Sequence, residues 1–254
     1  MFPSDLPRAS RSRRSGNEYF QWKYPIGASA GLVKQNISSV NIGMRKPTKR
    51  TKPEPKPYHH GDLKSAVLTA AEKILETEGV DALTLRAVSR MVGVSHTAPK
   101  NHFGDLEGLL SELAAVGYRR FGAALSGAIE RASDGPRQQL KAMGLAYVAF
   151  ARKYPGLFML MYRSDRLDMN SPSLRGAIED TRQSLKNATA SIAPASPLPP
   201  LQLAARATAS WALVHGFAML LLDGRLRHTL ASLPGQPDAN TLLEAVLDVT
   251  RVND

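Results

Sequence analysis

The chain has 254 residues, of which 43% are hydrophobic, enough to build a proper core, and it has no cysteine, which excludes disulfides, thiolate metal sites and thiol redox sensing. Its formal charge of +11 invites a nucleic-acid partner, but the excess is uneven: residues 1–57 hold 12 Lys and Arg against 3 Asp and Glu, leaving 21 against 19 for the rest. The six His are scattered without ligand spacing, so no metal or other cofactor is expected.

Residues 1–57 combine Arg8, Arg11, Arg13 and Arg14 with an isolated aromatic patch (Tyr19, Phe20, Trp22, Tyr24) and the run RKPTKRTKPEPKP. Such a segment cannot bury enough apolar surface to offset its ordering entropy, which predicts a disordered basic extension without a secretory leader. Functionally it reads as an arm lying along phosphates or entering a minor groove. A helix is predicted over 61–78, with Leu63, Val67, Ala70 or Ala71, and Ile74 or Leu75 on one face, Asp62 favourable at its positive end and Gly79 as its stop.

Thr84 to Phe103, TLRAVSRMVGVSHTAPKNHF, reads as two short helices joined by a tight turn. Thr84 caps the first, whose face carries Leu85, Val88 and Met91 or Val92. Gly93 turns the chain, Val94 plugs the angle and Ser95 caps the second helix. That second helix offers His96, Thr97, Lys100, Asn101 and His102, with Ala98 and Phe103 apolar, so most of its surface expects water or a polar partner. A helix of this kind fits the major groove of duplex DNA; the same spacing also fits a plain helical hairpin. Pro99 forfeits one early backbone bond and is expected to tighten the first turn toward a 3₁₀ form.

Further on, Asp105 caps a helix predicted to reach Arg131, with Leu106, Leu109 or Leu110, Leu113, Phe121, Leu125 and Ile129 on one side. Gln138–Lys153 is expected to turn Leu140, Met143 or Gly144, Tyr147 and Phe150 or Ala151 inward. A short buried helix follows at 155–163, and another spans Pro172 to about Ala193. After the proline hinge ASPLPP comes a helix from Leu201 to Leu222. Its apolar stretch, Ala207 to Leu222, falls short of the roughly 20 residues a membrane span needs and includes Thr208, Ser210 and His215. So apolar a helix needs cover on all sides, and a second subunit is the natural cover. The last predicted helix, Ala239–Val252, brings Leu242, Leu243, Val246 and Leu247 to the same interface.

The run Tyr58–Leu113 resembles the DNA-binding head of TetR-family repressors. The resemblance rests on the helix ending at Glu78-Gly79, the block LTLRAVSRMVGVS, the pair His102-Phe103 and the start Asp105-Leu106-Glu107 of a connecting helix. Two positions depart: Lys100 stands where the family commonly has Tyr, and Asn101 where it commonly has a basic residue or His. The operator sequence therefore does not carry over. Trp211, His215 and Gly216 give a WxxxHG pattern resembling a subgroup of these regulators, with Trp and His sharing a face and Gly permitting close helix approach. Met44 opens MRKPTKR, the short basic lead-in common in the family, which makes it a candidate start and residues 1–43 dispensable for fold and operator choice.

The resemblance implies an all-α fold in three parts. Residues 1–57 are the extension, 58–104 a three-helix DNA-binding head with the helix-turn-helix, and 105–254 a helical body for effector binding and dimerisation. It further implies a cytoplasmic homodimeric transcriptional regulator, a repressor that a small-molecule effector releases from an inverted-repeat operator. The expected DNA contacts are Tyr58, His59, Thr84, Ser95, His96, Thr97, Lys100, Asn101 and His102. The expected effector site is lined by Phe150, Phe158, Met159, Tyr162, Trp211 and His215, with the connecting helix from Asp105 carrying the signal. An enzyme is disfavoured because His215 has no phased carboxylate and no nucleophile motif occurs. A ligand-independent architectural DNA binder has no use for the long body.

Overall fold

The computed structural model describes residues 60–132, 135–189 and 198–249. The basic extension, Tyr58 and His59 lie outside these residues. Among the described residues the chain is all-helical, as the sequence predicts: α1 (His60–Glu78), α2 (Leu85–Val92), α3 (Ala98–Phe103), α4 (Leu106–Arg131), α5 (Pro136–Lys153), α6 (Pro155–Met161), α7 (Pro172–Ala188), α8 (Pro200–Leu222), α9 (Arg227–Ser232) and α10 (Ala239–Val249), with a 3₁₀ turn at Ser164–Arg166.

Local chemistry accounts for the ends. The Thr84 hydroxyl accepts from the Ala87 N–H at 3.1 Å, and an Asp105 carboxylate oxygen accepts from the Gly108 N–H at 2.8 Å, so both caps form as predicted. Gly93 sits at φ 77° with no atom within 4 Å of where a Cβ would stand, so the left-handed dihedral alone calls for glycine there.

Ser95 does not cap α3. Pro99 lacks the N–H that would bond the Ser95 carbonyl in α-helical register, and the Ala98 N–H takes that carbonyl instead, three residues on, at 3.1 Å. The helix proper begins at Ala98, with Thr97 in the cap position and no side-chain cap bond. Pro99 and Phe103 are buried beneath it.

Two apolar cores hold the fold. The first takes Val67, Ala71 and Ile74 of α1, Val88 of α2 and Phe103 of α3, and continues into Leu109 and Leu113 of α4, Leu157 and Leu160 of α6 and Leu174 of α7. The second gathers Phe121 and Leu125 of α4, Tyr147 and Phe150 of α5, Phe158 and Met161 of α6, Val214, Phe217 and Ala218 of α8, and Leu243 of α10. The head boundary expected at residue 104 is thus a change of helix within continuous packing. The short helix α6 belongs to both cores.

Further expectations need correction. Leu140, expected inward, is exposed because α5 turns that side to solvent near its start. Helix α8 is 23 residues long, so length and composition alone would let it cross a membrane; the 16-residue apolar stretch understated it. Within this chain α8 buries only Val214, Phe217 and Ala218, and Leu201 is 82% and Trp211 52% exposed, so the cover that the sequence calls for does not come from this chain's own helices. Gly216, expected on a crowded side, has nothing within 4 Å of a Cβ position. The short helix α9 was not anticipated, since RHTLAS carries too few apolar positions to show a period.

Candidate functional site

In the head, Thr84, Ser95, His96, Thr97, Lys100, Asn101 and His102 are all exposed, together with Arg86 and Arg90. Thr84 spends its oxygen on the cap, and the Ser95 and Thr97 hydroxyls lie 3.1 Å apart. Two residues that the motif reading passed over, Arg86 and Arg90, stand one turn apart on α2. With Ser89, Val94 and His96 they line an open groove of about 560 Å³. Their signal in the sequence is an acid-free stretch: no Asp or Glu occurs between Asp81 and Asp105. Among the described residues no ion pair engages Arg86, Arg90 or Lys100, whereas Lys64, Arg120, Lys141 and Arg182 are each matched with a carboxylate. The head thus presents unmatched positive charge and free amide and imidazole groups on one rigid support.

In the body, the six expected effector residues fall in and around the second core, organised by a residue the motif reading treated only as inward-facing. The Tyr147 hydroxyl lies 2.8 Å from the Tyr162 hydroxyl and 2.9 Å from His215 Nδ1, and it accepts from Trp211 Nε1–H at 3.3 Å. The rings pack around it, with centroids 4.7 Å apart for Tyr162 and His215, 5.6 Å for Phe158 and His215, and 5.8 Å for Trp211 and His215. Phe150 stands one ring further out, edge-on to Phe121 at 5.2 Å, and Met159 packs at the margin, half-buried. Phe158 and Tyr147 are buried, while Tyr162 and Trp211 reach the surface.

Burial lowers the pKa of His215 below the ordinary histidine value of 6.5, so the ring is neutral near pH 7. Burial also pushes the Tyr147 and Tyr162 phenols up, which keeps both protonated. The cluster is therefore an uncharged aromatic patch with a hydroxyl-imidazole centre. A separate open groove of about 400 Å³, lined by Ala142, Ala146, Ala149, Arg131 and Glu244 among others, lies where α4, α5 and α10 meet. No group of three or more His, Asp or Glu able to hold a metal gathers among the described residues.

Comparison with known proteins adds to this geometry. Residues 140–249 match the family model described as tetracyclin repressor-like, C-terminal domain. A curated relative from Bacillus subtilis (strain 168), described as the uncharacterized HTH-type transcriptional regulator YobS, is 29% identical over 99 residues. That alignment takes in 39% of this chain and spans half the length of the relative, 50%. Among solved structures, a protein with unknown function from Rhodococcus sp. RHA1 is 33% identical, with 77% of this chain and 96% of that one covered and a TM-score of 0.63. The putative regulatory protein SCO4313, 21% identical over 75% of this chain and 95% of its own, shares the fold at a TM-score of 0.54. Residues 140–249 are thus similar to a tetracyclin repressor-like C-terminal domain, and over 99 residues the chain is similar to a relative described as an HTH-type transcriptional regulator.

The depressed His215 pKa has a stability consequence. Between the native value and 6.5 the unfolded chain binds a proton that the native chain refuses. This contribution to stability is complete above about pH 6.5, falls as the pH drops toward the native value, and levels off below it. Urea denaturation of wild type and His215→Gln at pH 7.5 and 5.5 should show the larger acid loss in wild type. Equal losses would mean that His215 titrates as a solvated histidine.

Proposed function

We propose that the chain is a homodimeric, cytoplasmic repressor that holds duplex DNA through α2 and α3 and releases it when a small uncharged effector occupies the aromatic cluster. The observation that carries the DNA reading is the exposed, carboxylate-free surface of Arg86, Arg90, His96, Lys100, Asn101 and His102, whose cations have no ion-pair partner among the described residues. Matching positive charges to phosphates releases counterions, and amide groups on an inserted helix meet base edges. Arg86 and Arg90 suit the backbone, since the first helix of such a pair crosses it while the second enters the groove. Tyr58 and His59 would extend these contacts from the chain leading into α1.

The dimer reading rests on α8. Its first ten residues bury no side chain in this chain although they include Leu201, Leu203 and four alanines. A projecting turn-by-turn helix of this length is marginal in water without a surface to lie on, and a second copy's α8 offers a matching one. By contrast α10 already spends Leu243 and much of Leu247 against its own subunit, around Gly144. The interface is therefore centred on α8 more than on α10.

Three outcomes are expected. In fluorescence anisotropy on a duplex enriched from a random library, Arg86→Ala, Arg90→Ala and Lys100→Ala each weaken binding and lower the salt slope by about 1, while Asn101→Ala relaxes preference at one base position by about 1–3 kcal/mol. Unchanged affinity in all four would remove these helices from the groove. Light scattering at micromolar protein should give twice the chain mass, and Leu203→Glu should give the single mass with helicity retained; a wild-type monomer refutes the dimer. Finally, a thermal-shift screen of neutral aromatic compounds should yield stabilising ligands that also displace DNA and that fail on Trp211→Phe and His215→Ala. Ligands that act equally on both variants would locate the effector elsewhere.

A further inference from the structure

We propose that Glu76 is the positioning residue that couples the aromatic cluster to the DNA-reading head, by clamping the start of α6. The proposal rests on the DNA-binding reading above. Glu76 lies in the last turn of α1, the helix against which α2 and α3 pack. Its carboxylate reaches across the fold and accepts from two consecutive backbone amides, Gly156 N–H at 2.8 Å and Leu157 N–H at 2.9 Å. A helix start leaves several N–H groups unsatisfied. In α6 every one is accounted for: Pro155 has none, Glu76 takes the next two, and Phe158 N–H donates to the Tyr154 carbonyl at 2.8 Å.

Close backbone approach makes the clamp possible. A Cβ on Gly156 would stand 2.8 Å from the Leu75 carbonyl oxygen and 3.0 Å from its carbon, so only glycine lets α6 begin this close to the end of α1. At the other end of α6, the Tyr118 hydroxyl of α4 donates to the Met161 carbonyl at 3.0 Å. Between these two ties the helix divides its side chains. Leu157 and Leu160 pack in the core shared with the head, and Phe158 and Met161 pack among the rings of the body. Tyr162, at the C-terminal end, hydrogen-bonds Tyr147 at the centre of the cluster.

A shift of the cluster that moves Phe158 or Tyr162 therefore moves a short rigid rod whose far end is fastened to α1. The connecting helix α4 has two polar ties of its own to α1, Arg120 to Glu72 and Glu112 to Lys64, but both pairs have an exposed cation and are screened by solvent. The two-pronged, half-buried Glu76 contact is the stronger link, so α6 and not α4 alone transmits between effector site and head. Because coupling between two sites is reciprocal, DNA on the head must alter α6 even with no effector present.

Hydrogen–deuterium exchange on the full chain tests this, with and without a duplex enriched from a random library by the wild-type protein. DNA should change exchange in the 155–162 peptide at least about twofold in wild type and in the control Glu72→Gln, and should leave it unchanged in Glu76→Gln, which still binds the duplex. Persistence of the DNA effect in Glu76→Gln overturns the proposal, as does a wild-type chain that binds DNA with no change at 155–162. Should Glu76→Gln lose its helical circular dichroism, Gly156→Ala takes its place: it leaves the carboxylate but pushes α6 off Leu75, and a surviving DNA effect there also overturns the clamp. A wild-type chain that enriches no duplex instead overturns the DNA-binding reading, and is recognised by the absence of binding itself.

Discussion

Leu157 and Leu160 are surrounded by apolar side chains of α1 and α4, and Phe158 and Met161, on the same seven-residue helix, are surrounded by rings of α5 and by α8. Neither set can be withdrawn from its neighbours without exposing large apolar surface, at about 25 cal/mol per Å². That double burial removes the freedom a head would have if it hung from the body by one helix. The proposed coupling of α2 and α3 to the aromatic cluster then requires only that the second core have two arrangements close in free energy.

Charge is distributed to match. In the body several cations meet carboxylates: Arg120 meets Glu72, Lys141 meets Glu244 and Asp248, and Arg182 meets Glu179. The α2–α3 surface holds its cations without such partners, a state that water tolerates and a polyanion improves. The aromatic cluster takes the opposite course. Burial holds His215 neutral and keeps the Tyr147 and Tyr162 phenols protonated, so a charged guest would give up its hydration without a counter-charge in return. On the proposed reading the two surfaces suit different partners, one a polyanion and the other an uncharged molecule.

What was legible in the sequence was what a few neighbouring residues decide. Thr84 and Asp105 cap their helices because each needs only an amide three residues on, and Gly93 turns the chain because its dihedral is local. Ser95 misled for a reason also local, since Pro99 withdraws the donor that a cap at that position presumes. The inward side of α4 was readable from spacing, as the burial of Leu109, Leu113, Phe121 and Leu125 shows, and Leu140 was not, because being on an apolar stripe does not guarantee a neighbour at a helix end. Glu76 was invisible: its partners lie 80 and 81 residues away and are backbone amides, which no pattern of side chains announces. Tyr147 was seen as inward but not as the centre of a hydroxyl-imidazole network, whose other members come from α6 and α8.

The central claim is that a two-fold pair of these chains reads duplex DNA with α3. Selection of duplexes from a random library by the full-length protein, followed by sequencing, tests it most directly. The account predicts enrichment of an inverted repeat whose half-sites lie roughly 34–36 Å apart or a multiple of it. Enrichment of single asymmetric sites, or of no sequence over the starting library, would contradict it.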